Sequence, residues 1–131
     1  MAKLRLPHLN HVILIGRMTR DPEVKQIKDG LSVCNARIAV NLPYRDSNGD
    51  WQQEETFVTV VAWRRWADLC GEFLHKGSPL LVEGRLRSRS WESQEGQTHH
   101  VVEVQAARIQ FLDRSGISDK ESELETVEEE G

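Results

Sequence analysis

Hydrophobic and polar side chains alternate in several segments along the first 112 residues of this chain. From Cys34 to Leu42 the even positions are apolar and the odd positions are mostly polar, which is typical of a strand with one buried face. Turn residues such as Asp21-Pro22 interrupt the pattern. The pattern predicts five strands, in residues 9–20, 31–42, 54–63, 79–91 and 98–112.

Two other segments depart from this alternation. In residues 64–77 apolar side chains recur at i, i+3, i+4 and i+7, which predicts a helix that ends at Gly77 and packs one face against the core. Residues 43–53 contain Asn48-Gly49, a strong hairpin signal, and predict a long hairpin that protrudes between the second and third strands. The apolar face of the predicted helix consists of Trp66, Leu69, Cys70 and Phe73.

The order of these elements indicates the fold class. Five strands with a single helix between the third and the fourth give the order of an OB-fold, a partly open Greek-key barrel that binds oligonucleotides or oligosaccharides. We therefore expect residues 1–112 to form one all-β OB-fold domain. Beyond residue 112 the periodicity ends.

Charge is distributed unevenly between this domain and the remaining residues. The net charge of the chain is −4, but residues 113–131 carry eight acidic and two basic side chains. This leaves 15 basic and 13 acidic side chains in residues 1–112, so the domain is mildly basic. A segment so acidic and so poor in apolar residues buries too little surface to offset its ordering entropy, and we expect a disordered acidic tail.

Cysteine use and the N-terminal residues bear on the compartment. Cys34 and Cys70 do not form a Cys-x-x-Cys pair, and we expect two buried, reduced thiols in a reducing compartment. The N-terminal residues are too polar for a signal peptide, and no apolar run reaches the roughly 20 residues of a membrane helix. These features predict a cytoplasmic protein.

The fourth predicted strand carries the candidate chemistry. Because its positions alternate strictly, Arg85, Arg87, Arg89 and Trp91 share one face, opposite a face of apolar and small side chains. Single-stranded nucleic acid is held by cations that follow the phosphates and by aromatic rings on which bases stack. The strand therefore predicts such a site, although a solvated surface can also carry a row of arginines.

Other aromatic side chains extend this candidate set. Phe57 and Trp63 share one face of the third predicted strand, where they fit either base stacking or the core. Tyr44 and Trp51 lie in the predicted hairpin, where exposed aromatic rings suggest a use. Tyr44 has the parity of the buried residues of its strand, and the sequence leaves the role of Trp51 open.

The sequence contains no arrangement that indicates catalysis. His99 and His100 are adjacent on a predicted strand, so their side chains point to opposite faces and cannot share a metal ion. The phosphate-loop, dinucleotide-binding and nucleophile motifs of enzymes are absent. We expect a non-enzymatic protein without a metal or another cofactor. Duplex DNA is a poor candidate ligand because its bases are stacked and no recognition helix is predicted.

Three segments, NHVILIGRMTRDPEV (10–24), WADLCGEFLHKGSPLLVEGRLRSRSW (66–91) and VVEV (101–104), strongly resemble the bacterial single-stranded-DNA-binding protein family. The resemblance spans about residues 9–112. It implies an OB-fold homotetramer that binds single-stranded DNA without sequence preference, protects it in replication, recombination and repair, and is nucleoid-associated. The base-stacking aromatic residues of the family fall on Tyr44, Phe57, Trp63 and Trp91.

The C-terminal residues depart from the family pattern. The acidic residues are present, but the terminal hydrophobic tip through which the family recruits replication and repair proteins is missing, which puts those partners in doubt. Two alternatives stay open. One is a dimeric OB-fold primosome assembly protein, and the other is an adaptor whose OB-fold face binds protein or sugar.

Overall fold

The computed structural model describes residues 6–112, so the acidic tail predicted at 113–131 lies outside the described residues. The predicted five-stranded barrel with one helix is confirmed, with one short additional strand. In chain order the elements are β1 (Val12–Met18), β2 (Glu23–Ile27), a 3-10 turn (Lys28–Gly30), β3 (Leu31–Arg45), β4 (Trp51–Trp63), α1 (Arg65–Phe73), β5 (Pro79–Glu92) and β6 (Thr98–Phe111).

The additional strand, β2, is a continuation of β1 beyond the Asp21-Pro22 break. β2 pairs antiparallel with residues 31–35 of β3, and the last residues of β1 pair with the next part of the same strand. The two short strands therefore lie end to end along β3 as one interrupted barrel strand. All five residues of β2 are exposed, so no alternation between buried and exposed positions marked this strand in the sequence.

The strands close into a barrel in the order β1-β5-β6-β4-β3, and β3 pairs with β1 again. The pairings are antiparallel except between β4 and β6, which run parallel and meet at Val60–Val104 and Val61–Gln105. The interior is filled by fully buried side chains from every barrel strand and from α1. The largest of them are Met18, Ile38, Leu80, Ile109, Val60, Val82 and Val104, beside Cys34 and Cys70.

The two cysteines are buried and are not joined by a disulfide, as the sequence predicts. Cys34 lies on β3 and Cys70 on α1. A hydrogen bond to Cys34, together with burial, raises the pKa of the Cys70 thiol. Since the thiolate is the reactive form of cysteine, this environment keeps Cys70 inert.

The helix ends at Phe73, and the prediction that it extends to Gly77 was wrong. Leu74 turns into an extended conformation, and its side chain is buried in the core. The next residues are tied to β1 and its following turn, because the backbone N–H of Lys76 donates to the Asp21 carboxylate (2.8 Å) and that of Gly77 to the Met18 carbonyl (2.8 Å). These contacts pull the chain away from the helix axis.

Strand β5 leaves the barrel at Gly84. A Cβ atom at Gly84 would lie 2.0 Å from the backbone oxygen of Gln105, so only glycine allows β6 to approach this closely. The pairing register shifts at the same point, between Glu83 and Gly84. From Arg85 to Glu92 every residue of β5 is exposed, so this half of the strand and the start of β6 form a two-stranded arm.

Strands β3 and β4 form a second arm, and the predicted protruding hairpin is confirmed. Residues 41–45 and 51–57 are exposed on both faces of the pair. The turn is held by Asp46, whose Oδ1 accepts hydrogen bonds from the backbone N–H groups of Asn48 (2.9 Å) and Asp50 (3.0 Å). Gly49 has a φ of 82°, which a residue with a side chain rarely adopts. The one α-helix among residues 6–112, α1, has nine residues and is too short to span a membrane.

Candidate nucleic-acid interface

A groove crosses the outer face of the barrel over four neighbouring strands. Its first part is a cavity of about 370 Å³ to which each strand contributes two side chains, because residues two apart on a strand share a face. The eight residues are Val33 and Asn35 of β3, Val61 and Trp63 of β4, Arg87 and Arg89 of β5, and Glu103 and Gln105 of β6.

A second cavity of about 590 Å³ continues the first, and the two share Asn35, Arg89 and Glu103. It adds Phe57 to the aromatic residues along the groove. It also adds two arginines, Arg20 and Arg37, and one acidic residue, Glu23. The groove is thus lined by four arginines against two carboxylates, a local surplus of positive charge on a chain whose net charge is −4.

Arg89 is fixed in place by the carboxylate of Glu103. Its Nε and Nη2 donate to the two carboxylate oxygens at 3.1 and 3.2 Å, a bidentate pair. Glu103 is only 7 % exposed, whereas the Arg89 side chain is about half exposed to the groove. The hydrogen bonds to Glu103 and its negative charge raise the pKa of Arg89, so the guanidinium stays charged.

The other two arginines of the predicted row have different surroundings. Arg87 lines the groove and makes no hydrogen bond or ion pair with any residue between 6 and 112. Arg85 donates to the side-chain oxygen of Gln105 at 3.2 Å and faces a separate hollow on the other side of that residue. Arg87 and Arg89 therefore lie together in the groove, while Arg85 lies at its margin.

Trp91 lies beyond Arg89 on the β5–β6 arm and is 42 % exposed. The Arg89 guanidinium lies 4.7 Å from the centre of its ring, within cation–π range. The ring also stacks on His99, its cross-strand neighbour, at 5.3 Å between centroids and 21° between planes. These contacts hold the indole flat on the arm without burying it, so Trp91 is not a core residue.

Phe57 and Trp63 occupy the same face of β4, as predicted, and neither is sealed in the core. Phe57 is 50 % exposed, and Arg37 lies 5.5 Å from its ring centre. Trp63 is half-buried in the wall of the groove. Its Nε1 is buried and has no hydrogen-bond partner among the described residues. Trp66, by contrast, packs against the core as expected.

Tyr44 lies apart from the groove, on the β3–β4 arm. Its cross-strand partner is Gln52, whereas Ala39 is opposite Phe57, so Tyr44 and Phe57 lie on opposite faces of the paired strands. Both faces of the arm are exposed, and this leaves the Tyr44 ring half-exposed despite its inward parity.

Several groove residues carried no functional signal in the sequence, among them Arg37, Glu103 and Arg20. Arg37 lies on the polar face of its strand in the sequence, but only the register between β3 and β4 brings it over Phe57. Glu103 sits in a mostly apolar segment, and its pairing with Arg89 depends on the β5–β6 register. Arg20 follows the end of β1 and carries no periodic signal. In residues 6–112 no group of three or more His, Cys, Asp or Glu side chains is placed to hold a metal ion.

Comparisons with known proteins show which family this chain resembles. The sequence profile described as "Single-strand binding protein family" matches residues 9–112. Single-stranded DNA-binding protein 2 of Chlorobaculum tepidum is 43 % identical over 124 residues, which are 92 % of this chain and 84 % of that protein. Single-stranded DNA-binding protein A of Bacillus subtilis is 43 % identical over 105 residues, which are 80 % of this chain and 60 % of that protein.

Two solved structures share the fold. A Plasmodium falciparum SSB in complex with single-stranded DNA superposes with a TM-score of 0.75 at 27 % identity, over 84 % of this chain and all of that chain. A deletion mutant of the single-stranded DNA binding protein from Thermus aquaticus superposes with a TM-score of 0.71 at 31 % identity, over 82 % of this chain and 52 % of that chain.

Proposed function

The chain belongs to the single-strand binding protein family and binds single-stranded DNA. We propose that the DNA lies in the groove, with its bases stacked on aromatic rings and its phosphates bound by arginines. The chain is a binding protein and not an enzyme. The observation that carries the proposed mode is that exposed or half-exposed rings and charged guanidinium groups line one continuous surface.

The proposed stacking residues are Phe57, Trp63 and Trp91, with Tyr44 on the other face of the β3–β4 arm as a fourth. Every base has a flat face, so stacking of this kind tolerates any sequence. Arg87, Arg89 and, at the margin, Arg85 are the proposed phosphate contacts, and phosphates carry no sequence information either. Together these contacts predict binding that is independent of sequence and weakens as salt increases.

Two features favour single strands over duplex DNA in this groove. The rings can stack only on bases that are not already paired and stacked. The strands that form the groove present flat rings and no helix that would enter a major groove. We therefore propose that duplex DNA of the same sequence binds much more weakly.

We also propose that the protein assembles as a homotetramer. Ile13 and Ile15 are both 58 % exposed on β1, and Leu9 just before them is more exposed still. Within the described residues, Val12–Gly16 pairs with β5 on one side only, which leaves a strand edge unpaired. An open edge beside exposed apolar side chains is a surface that a second copy can cover. A measured mass of a dimer would instead favour the primosome assembly alternative.

The proposed cellular role follows from the binding of single-stranded DNA. We propose protection of single-stranded DNA in replication, recombination and repair, in the cytoplasm and in association with the nucleoid. Recruitment of replication or repair proteins by the acidic residues 113–131 stays a prediction, and those residues lie outside the described ones. Pull-down experiments with and without residues 113–131 would test it.

The binding mode is tested by titrating the protein with oligo-dT, a mixed-sequence oligonucleotide and a duplex while tryptophan fluorescence is recorded. We expect both single strands to quench the fluorescence with similar affinity. A plot of log K against log salt concentration has a negative slope. Arg87→Ala should make this slope less steep by about 0.7, the value for one lost phosphate contact to a single strand. Lys76→Ala removes an exposed cation outside the groove and serves as the matched control.

Three results would contradict the proposed mode. They are equal affinity for duplex and single strand, a strong preference for one sequence, or a salt slope that Arg87→Ala leaves unchanged.

A further inference from the structure

Trp51 carries the most exposed aromatic ring between residues 6 and 112. It is 65 % exposed, compared with 50 % for Phe57 and 42 % for Trp91. An aromatic side chain of this size can bury 150–250 Å² of surface, so its exposure forgoes a large hydrophobic gain. Neither the barrel core nor the groove uses this ring.

The register of the hairpin places Trp51 on the same face of β4 as the aromatic residues of the groove. Trp51, Phe57 and Trp63 are six residues apart in turn, and side chains an even number of positions apart share a face. At about 3.3 Å per residue each interval is about 20 Å. At the duplex rise of about 3.4 Å per nucleotide, each interval corresponds to about six nucleotides, and to fewer in a stretched strand.

The surroundings of Trp51 repeat those of the proposed stacking residues. Arg45, its cross-strand neighbour, lies 5.0 Å from the centre of its ring. The same kind of pair occurs at Arg37–Phe57 (5.5 Å) and at Arg89–Trp91 (4.7 Å). Each pair presents a flat ring next to a cation, the two groups that a base and its phosphate require.

Hydrogen bonds to Asp46 hold the turn beside Trp51 in a defined shape. The carboxylate of Asp46 accepts hydrogen bonds from the backbone N–H groups of Asn48 and Asp50, and from the side-chain amide of Gln52 at 3.2 Å. The hairpin therefore ends in a fixed shape, with Arg45 and Trp51 at the last paired position before the turn.

We propose that Arg45 and Trp51 form a further stacking and phosphate-binding site. This site extends the path of single-stranded DNA from the groove along the face of the β3–β4 arm that carries Phe57 and Trp51. The site rests on the proposed function, because its ligand is the strand that leaves the groove past Phe57. It makes Trp51 a residue that only a sufficiently long single strand can reach.

The test measures the affinity of the full chain for dye-labelled oligo-dT of increasing length. Trp51→Ala removes the ring, and Trp51→Phe keeps a ring on which a base can stack. Thr56→Ala is the matched control, since Thr56 is an exposed residue on the opposite face of the same arm, away from the proposed path. Phe57→Ala is the reference for loss of a stacking residue in the groove. Solution mass and thermal stability are measured for every variant.

We expect Trp51→Ala to weaken binding of long oligonucleotides by about 5- to 150-fold, the effect of one lost stacking contact. The shortest oligonucleotide that the wild type binds should keep its affinity. Trp51→Phe should retain most of the binding of long strands, and Thr56→Ala all of it.

Wild-type affinity of Trp51→Ala at every length, together with weaker binding of Phe57→Ala, would overturn this site and leave the groove as the binding surface. Equal weakening at every length with lower thermal stability would assign Trp51 a structural role and overturn it too. A change in solution mass without a change in affinity would make Trp51 a contact between copies. If the wild type bound no oligonucleotide, the proposed function itself would fail.

Discussion

Gly84→Ala is expected to destabilise the barrel by about 3 kcal/mol, the upper end of the usual range for overpacking. The added Cβ would lie 2.0 Å from the Gln105 carbonyl oxygen, 2.9 Å from its carbonyl carbon and 3.1 Å from the Cα of Ala106. Nonbonded carbon atoms rest about 3.5–4.0 Å apart, so the two strands must separate by about 1 Å or more. All three obstructing atoms are backbone, which cannot rotate away as a side chain can.

The assay is urea unfolding at one fixed protein concentration, because association would make stability depend on concentration. With a slope of about 1–3 kcal/mol per molar urea, the midpoint should fall by about 1–3 M. Gly96→Ala is the control. Gly96 has a φ of 83° and nothing within 4 Å of the added atom, so its cost is conformational, about 1–2 kcal/mol.

Gly84→Ala should also weaken binding of single-stranded DNA. Gln105, whose backbone must move, lines the groove and accepts the hydrogen bond from Arg85. A Gly84→Ala variant that unfolds at the wild-type urea concentration would refute the close approach of β5 and β6. A variant no less stable than Gly96→Ala would refute the steric origin of the cost.

Three other changes have expected outcomes of the same kind. Trp91→Ala should weaken binding of oligo-dT by about 1–3 kcal/mol for the base contact it loses, and an unchanged affinity in a fluorescence-independent titration would remove Trp91 from the site. Hydrogen bonds from the backbone N–H groups of Asp50 and Asn48 hold the pKa of Asp46 below its usual value. The ionised carboxylate therefore stabilises the fold fully at a pH above the unfolded-state pKa of about 3.9. This stability is lost as the pH falls through the pKa that Asp46 has in the folded state. Asp46→Asn resembles the protonated form and should therefore lower Tm more at pH 7 than at low pH. A Tm difference that does not shrink as the pH falls would contradict this linkage. Deletion of residues 113–131 removes a net charge of −6 and should tighten DNA binding at low salt. The difference in affinity between the full and the shortened chain should shrink as salt increases. Equal affinities at low salt would argue against competition between the acidic residues and DNA.

The barrel strands and the face of the arginine row could be predicted from the sequence because both depend on local alternation. Arg87, Arg89 and Trp91 share a face at any register of β5, since side chains two apart always point the same way. The hairpin was equally local, because Asn48-Gly49 marks a turn without reference to the rest of the fold.

Features that depend on contacts between distant segments could not be predicted. The Arg89–Glu103 pair requires the β5–β6 register, and the cation over Phe57 requires that of β3 and β4. Periodicity also does not show where a strand leaves the barrel. Leu86 has the parity of the buried Val82 and is nevertheless 49 % exposed, because β5 has passed Gly84.

The helix was predicted too long for the same reason. Residues after Phe73 are compatible with a helix in isolation, and Gly77 is a plausible helix end. What ends the helix earlier is tertiary structure, namely the burial of Leu74 and the hydrogen bond from the Lys76 backbone to Asp21, 55 positions away in the sequence.

The parallel pairing between β4 and β6 affects how fast the chain folds. Its paired residues, Val60 and Val104, are 44 positions apart, and everything between them must form α1 and the β5–β6 hairpin. Contacts between segments this remote form slowly, because the loop they close loses much entropy before any gain. Formation of this pairing should therefore be among the slow steps of folding, together with the β1–β5 pairing, whose partners Val12 and Gly84 are 72 positions apart. Val104→Ala should slow refolding more than a truncation in the local β3–β4 hairpin does.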